Sequence, residues 1–301
     1  MTTFSLQATP RDGAEAWLAL ARRAEEAGYD TLLTADHPGV CADPYPVLAA
    51  AAAVTTRIRL GVYVSNAGIR DPMLLATAVA TLDMLSAGRA RFGIGAGHTP
   101  AEWSAIGRSR PGVAGRVQRC IDVATAVQRL LAGEEVTVST PSLSMTGARL
   151  EHPRPVQDHI PLTFGGGNTE LLRWAGAHAD IVGLSGLGKT LPDGHRHTAR
   201  WSVDEIDAQV ALASGPPLEA LVQAAIVTDD AEAALTSFGD SGLSAAELLE
   251  TPFVLVGTLD EIAASIARHR RRWGIDRYVI RAPALDSFAP LVARPAPPTP
   301  A

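Results

Sequence analysis

Eight short apolar runs punctuate this chain, at 4–8, 31–35, 58–64, 90–95, 161–164, 180–184, 223–227 and 278–281. Each but the last leads into a longer stretch with helical spacing, and that alternation restricts the topology sharply. A strand followed by a helix and another strand returns the chain in the same direction, so such units build parallel sheets. Runs such as FVLVG and DIVGL barely alternate, as expected of strands covered on both faces. The reading is α/β, a (β/α)8 barrel, with an open doubly wound sheet as the alternative because periodicity does not report closure.

Local signals set the boundaries. Asp12 with Glu15 has the spacing of a capping box, and Gly28 stops the helix that follows. Thr258 with Glu261 repeats the box before the last strand. Helices are expected near 72–85, 113–131, 169–177 and 203–212, and a polar hairpin near 136–150. The segment 188–217, rich in Gly, His and Pro, breaks the rhythm between strands six and seven and is expected to cover the barrel mouth. One domain, 1–285, is expected, with a proline-rich tail from 286 to 301 that reads as disordered.

At 301 residues the chain can bury a core without disulfides. Cys41 and Cys120 form no framework and no metal pair, which fits a reducing cytoplasm. The net charge of −6 is scattered, which argues against a nucleic-acid partner. The one basic run, Arg268 to Arg272, closes a helix and suits its negative end. The longest apolar stretch, VLAAAAAV, is too short to span a bilayer, and the N-terminus lacks a signal-peptide pattern. A soluble cytoplasmic protein acting on a small molecule is expected, with no membrane partner.

The stretch RFGIGAGHTPAEW carries Gly93, Gly95 and Gly97. The dinucleotide-binding pattern needs a further glycine where His98 stands, and Pro100 nearby has no N–H to offer a phosphate. The strict fingerprint therefore fails. In a barrel, function gathers where the strands end at their C-terminal side. Those ends carry Asp36-His37, Ser65-Asn66, Gly97-His98, Gly165-Gly166-Gly167-Asn168 and Ser185-Gly186, a polar and glycine-rich rim able to take a flat ligand.

At these positions the sequence resembles the bacterial luciferase-like monooxygenase family, and most closely its branch dependent on coenzyme F420. The matching stretches are TADHPG at 34–39, RIRLGVYVSNAGIRDPMLLA at 57–76 and LDMLSAGRARFGIGAGHTPAEW at 82–103. They continue with PRPVQ at 153–157, PLTFGGGNTELLRWAGAHADIVGL at 161–184 and LVGTLDEIAASI at 255–266. The resemblance implies a (β/α)8 barrel with a flavin or deazaflavin in its mouth. It implies cofactor contacts from Asp36, Tyr63, Val64, Ser65, Asn66, Gly95, Gly97, Ser185 and Gly186, and a non-prolyl cis peptide at Tyr63–Val64. Gly165, Gly166, Gly167 and Asn168 fit the phosphate, because three glycines admit an anion closely and a helix N-terminus follows.

His37 and His98 are the candidate catalytic residues. An imidazole titrates near neutrality and can exchange a proton as hydride moves, and Pro38 biases His37 towards extended backbone. His98 departs from the sugar-phosphate dehydrogenase branch, which has a glutamate there, and the lysines that hold the sugar phosphate have no counterparts beyond Lys189. His98 is read as an acid, a substrate contact or a supporting hydrogen-bond partner, and Glu102 as a brace for the loop.

The function this implies is F420-dependent hydride transfer to or from a small organic substrate. An FMN-dependent monooxygenase and a non-catalytic flavin-binding relative are the alternatives, and a homodimer is expected because relatives are often dimers. His195 and His197, with Asp36 and His37, also suggest a metal-dependent barrel hydrolase. Their place in the irregular segment and not on a strand argues against metal.

Overall fold

Parallel strands close into a ring. The computed structural model describes residues 2–191 and 197–293. Its barrel strands are β1 (Thr3–Gln7), β2 (Thr31–Thr34), β3 (Arg59–Val62), β4 (Ala90–Gly95), β5 (Leu162–Gly165), β6 (Ile181–Leu184), β7 (Leu218–Leu221) and β8 (Arg277–Arg281). Each pairs in parallel with the next, β8 pairs with β1, and Leu60 opposite Ala90 completes the wall between β3 and β4. This is the (β/α)8 barrel and not the open sheet. A two-residue strand, Ser65–Asn66, continues the line of β3 along β4 beyond the cis peptide Tyr63–Val64.

Eight main helices surround the barrel: α1 (Gly13–Glu26), α2 (Pro44–Ala52), α3 (Pro72–Leu85), α4 (Val113–Leu131), α5 (Thr169–His178), α6 (Val203–Leu212), α7 (Leu259–Trp273) and α8 (Leu285–Val292). Apolar spacing explains their seating: Trp17, Ala21 and Ala24 form the buried stripe of α1. The capping box at Thr258 and Glu261 is formed, with both reciprocal hydrogen bonds. At Asp12 the side chain makes no cap bond, so the second expected box is absent. The hairpin appears as Glu135–Ser139 against Ser144–Arg149.

Two expectations change. Strand seven of the barrel is Leu218–Leu221, not 223–227. The latter run, Ala224–Val227, pairs in parallel with Val254–Gly257 in a small separate sheet. Both runs are apolar, and spacing alone does not show which one reaches the ring. The tail expected from 286 instead begins with α8, whose Phe288 is fully buried and packs edge-on against Phe4. Pro290 lies inside this helix, which is why the composition hid it. The end of the tail, with residues 192–196 and His195 among them, lies outside the described residues. No helix among the described residues is long and apolar enough to cross a membrane.

The barrel interior is layered. Arg91 on β4 reaches across to Glu219 on β7, strands that are not neighbours, and also donates to Thr163 on β5. Both members of the ion pair are almost fully buried. Leu33, Tyr63, Leu221 and Val279 form a separate buried cluster in the ring. Removing one partner of a buried pair leaves an uncompensated charge, which costs roughly 3–5 kcal/mol. Glu219→Ala is therefore expected to lower unfolding stability by that amount in urea titrations, whereas a loss under about 1 kcal/mol would show that the pair behaves like an exposed one.

Candidate active site

His37 follows β2, and its ring is fixed by a residue from a different loop. Glu102, on the short helix Pro100–Ala105 after β4, accepts from His37 Nδ1 at 2.6 Å through Oε1. Its other oxygen accepts from Asn66 Nδ2 at 2.6 Å. The Glu102 side chain is 4% exposed and that of His37 37%. The hydrogen bond to Glu102, helped by the charges of Glu102 and Asp36 and opposed by burial, raises the pKa of His37. His37 thus keeps a proton on the Glu102 side and leaves Nε2 for exchange.

Asp36 is not the hydrogen-bond partner of the neighbouring histidine. It is buried, and its carboxylate accepts from Arg70 Nε and Nη2, each at 2.8 Å, and from the Asn66 amide at 2.9 Å. It stands behind the mouth, tying the loop after β2 to the one after β3. Arg70 also lies over the Tyr45 ring. Sequence reading did not identify Arg70, and it gave Glu102 only a bracing role. Thr99-Pro-Ala-Glu102 looks like a capping box, which masks it. Thr99 makes no cap bond, and Glu102 is committed to His37 and Asn66 instead.

The expected cofactor residues divide by burial. Tyr63 lies inside the ring, and a side chain at Gly183 would collide with its hydroxyl. Ser65 is buried with its Oγ 2.9 Å from the Tyr45 hydroxyl. A Cβ at Gly97 would overlap the Asn66 amide, and one at Gly186 the Trp201 indole. Val64 fills the space beside Gly95 and Gly165, where an added Cβ would lie 2.6 and 2.7 Å from its methyl groups. The glycines of the RFGIGAGHTPAEW stretch are therefore required by the bulge of the chain itself. Half-buried at the mouth are His37, Val64, Gly97, His98, Gly165, Gly166, Gly167, Asn168 and Ser185.

The glycine turn after β5 suits an anion. Asn168 Oδ1 accepts from the amides of Glu170 and Leu171, and the Gly166 amide donates to Gly183 O. The amides of Gly167, Asn168 and Thr169 have no partner among the described residues. Arg200, from the 188–217 segment, donates to Gly167 O at 2.8 Å and brings a guanidinium to the turn.

His98 lies between two other histidines. Its ring meets His37 edge-on at 5.5 Å between centroids and His197 at 4.6 Å. Burial, with the charges of His37, His197 and Arg110 and against that of Glu102, pushes its pKa down to about 4. Two imidazoles in contact are thus held in opposite protonation tendencies. Among the described residues no group of three or more His, Cys, Asp or Glu could hold a metal.

The sequence profile described as luciferase-like monooxygenase matches residues 2–251. The chain is similar to an F420-dependent glucose-6-phosphate dehydrogenase from Beutenbergia cavernae, 33% identical over 194 residues, 62% of this chain and 56% of that protein. It is 28% identical over 275 residues to a 5,10-methylenetetrahydromethanopterin reductase from Methanolobus tindarius, covering 91% of this chain and 76% of that one. The chain spans about half the length of the first curated relatives it matches. The crystal structure of a monooxygenase from Streptomyces bottropensis superposes with a TM-score of 0.73 at 23% identity, over 96% of this chain and 98% of that one, which shows the shared fold.

Glu102→Gln is expected to bring the His37 pKa down towards the ordinary value of about 6.5, read by ring NMR titration. An unmoved His37 would rule out Glu102 as the cause. Because the folded His37 pKa is raised, its stabilising contribution is complete below about pH 6.5 and is lost as pH rises through the raised value. The Gln variant should flatten that part of the stability profile.

Proposed function

We propose a function from one premise: the chain belongs to the luciferase-like monooxygenase family. On that premise the reading the geometry supports best is an F420-dependent oxidoreductase that moves a hydride to or from a small organic substrate. The observation that carries it is the His37–Glu102 pair in contact with His98 at the mouth, one ring biased towards the cation and the other held neutral. Paired titratable groups pushed apart in this way are the pattern of an acid and a base.

The residues present fit a phosphate-bearing deazaflavin. Gly167, Asn168 and Thr169 offer free amides in a turn where bulkier side chains would obstruct, and Arg200 offers charge. Val64 presents its side chain half-exposed between the glycines of β4 and β5, a small apolar surface for a ring. Bound there, F420 supplies a two-electron hydride carrier with carbon in place of the central flavin nitrogen. His37 holds the proton that a substrate oxygen takes up on reduction, at Nε2, since Nδ1 is engaged by Glu102. Neutral His98 is able to accept a proton in the opposite direction.

The glucose-6-phosphate dehydrogenase relative, which is F420-dependent, supports this cofactor, and FMN is the second reading. Separate titrations of the purified protein with F420 and FMN decide between them. Tight binding of F420 is expected, and tight binding of FMN alone would replace the first reading with the second. His37→Ala is expected to keep cofactor affinity while slowing hydride transfer about 10²–10⁴-fold, measured by stopped-flow absorbance. Unchanged turnover would remove His37 from the chemistry.

A further inference from the structure

Two arginines near the mouth have no carboxylate paired with them among the described residues. Arg110 and Arg116 flank the N-terminus of α4, both half-buried. Arg116 donates to Pro111 O at 2.8 Å. The Nε of Arg110 is shielded from solvent without a hydrogen-bond partner. Neither guanidinium has an ion pair with a carboxylate among the described residues, although the chain is acidic overall. Arg110 is near enough for its charge to act on both His98 and Arg116. The first turn of α4 has no acidic residue and no side-chain cap, so its dipole adds to the same sign. His98 makes no hydrogen bond to any described residue, and its partner ring His37 is already balanced by Glu102.

Two neighbouring half-buried guanidiniums with no carboxylate partner are available to an anion, and their planar forks match oxygen anions in two-point geometry. We infer that Arg110, Arg116 and His98 form an oxyanion site at the barrel mouth, and that the substrate carries a carboxylate or phosphate group which this site holds beside the His37–His98 pair. The inference deepens the functional reading above and rests on it.

The test is a ring NMR titration of His98 in the full-length protein, with sodium oxalate or inorganic phosphate at matched ionic strength. The groups acting on His98 are His37, His197, Arg110 and Glu102. An anion bound beside it is expected to raise its pKa by about one unit or more. The stronger of the two probes identifies the group as carboxylate or phosphate. Arg110→Gln is expected to abolish the anion-induced shift, Arg116→Gln to reduce it, and Arg271→Gln, in the distant basic run of α7, to leave it intact. No anion-induced shift in the unsubstituted protein, or an equal shift in Arg110→Gln, overturns the site. Cofactor affinity is measured on the same samples. Loss of F420 or FMN affinity in Arg110→Gln would assign the oxyanion to the cofactor and overturn the substrate assignment. Normal cofactor binding with an anion-insensitive His98 overturns the oxyanion site alone, whereas binding of neither cofactor overturns the functional reading and the substrate assignment together.

Discussion

A single buried carboxylate organises the mouth of this barrel. Glu102 accepts from His37 with one oxygen and from Asn66 with the other, so the loops after β2, β3 and β4 meet at one side chain. A carboxylate with so little access to water is costly to bury without such partners. In turn it holds one His37 nitrogen as a donor and fixes which nitrogen is free. Asp36 and Arg70 form a second layer behind it, joined to the first through the Asn66 amide. Asp36, Asn66 and Glu102 are each committed to partners on other loops, which ties the loops after β2, β3 and β4 together.

The glycines around the mouth serve the backbone before they serve any ligand. Val64 stands between Gly95 and Gly165, the Val62 carbonyl occupies the place where a Gly93 side chain would lie, and the Asn66 amide does the same at Gly97. Without these gaps the chain after β3 could not lie across the top of β4 and β5. The turn after β5 differs in that the amides of Gly167, Asn168 and Thr169 have no hydrogen-bond partner among the described residues.

Electrostatics then differentiates two similar side chains. His37 and His98 share a surface, yet one faces a carboxylate and the other faces cations. Chemical identity does not assign their roles; neighbours contributed by distant elements do. The same dependence on neighbours applies to Arg110 and Arg116, which have no carboxylate partner among the described residues.

Much of the architecture was legible in the chain. The alternation of apolar runs and amphipathic stretches determined a parallel α/β fold, since strand and helix periods are local properties. Helices near 72–85, 113–131 and 203–212 were readable from apolar spacing. Position at the ends of strands also drew His37, His98 and the Gly165–Asn168 turn to one rim. Closure of the ring, the choice of Leu218–Leu221 over Ala224–Val227 as its seventh strand, and the packing of α8 were decided only in three dimensions. So was the pairing of His37 with Glu102, 65 residues away and disguised as a helix cap. Periodicity records which face of an element is buried, but a hydrogen bond between distant loops depends on how the elements are arranged around the barrel, and that arrangement leaves no local mark in the sequence.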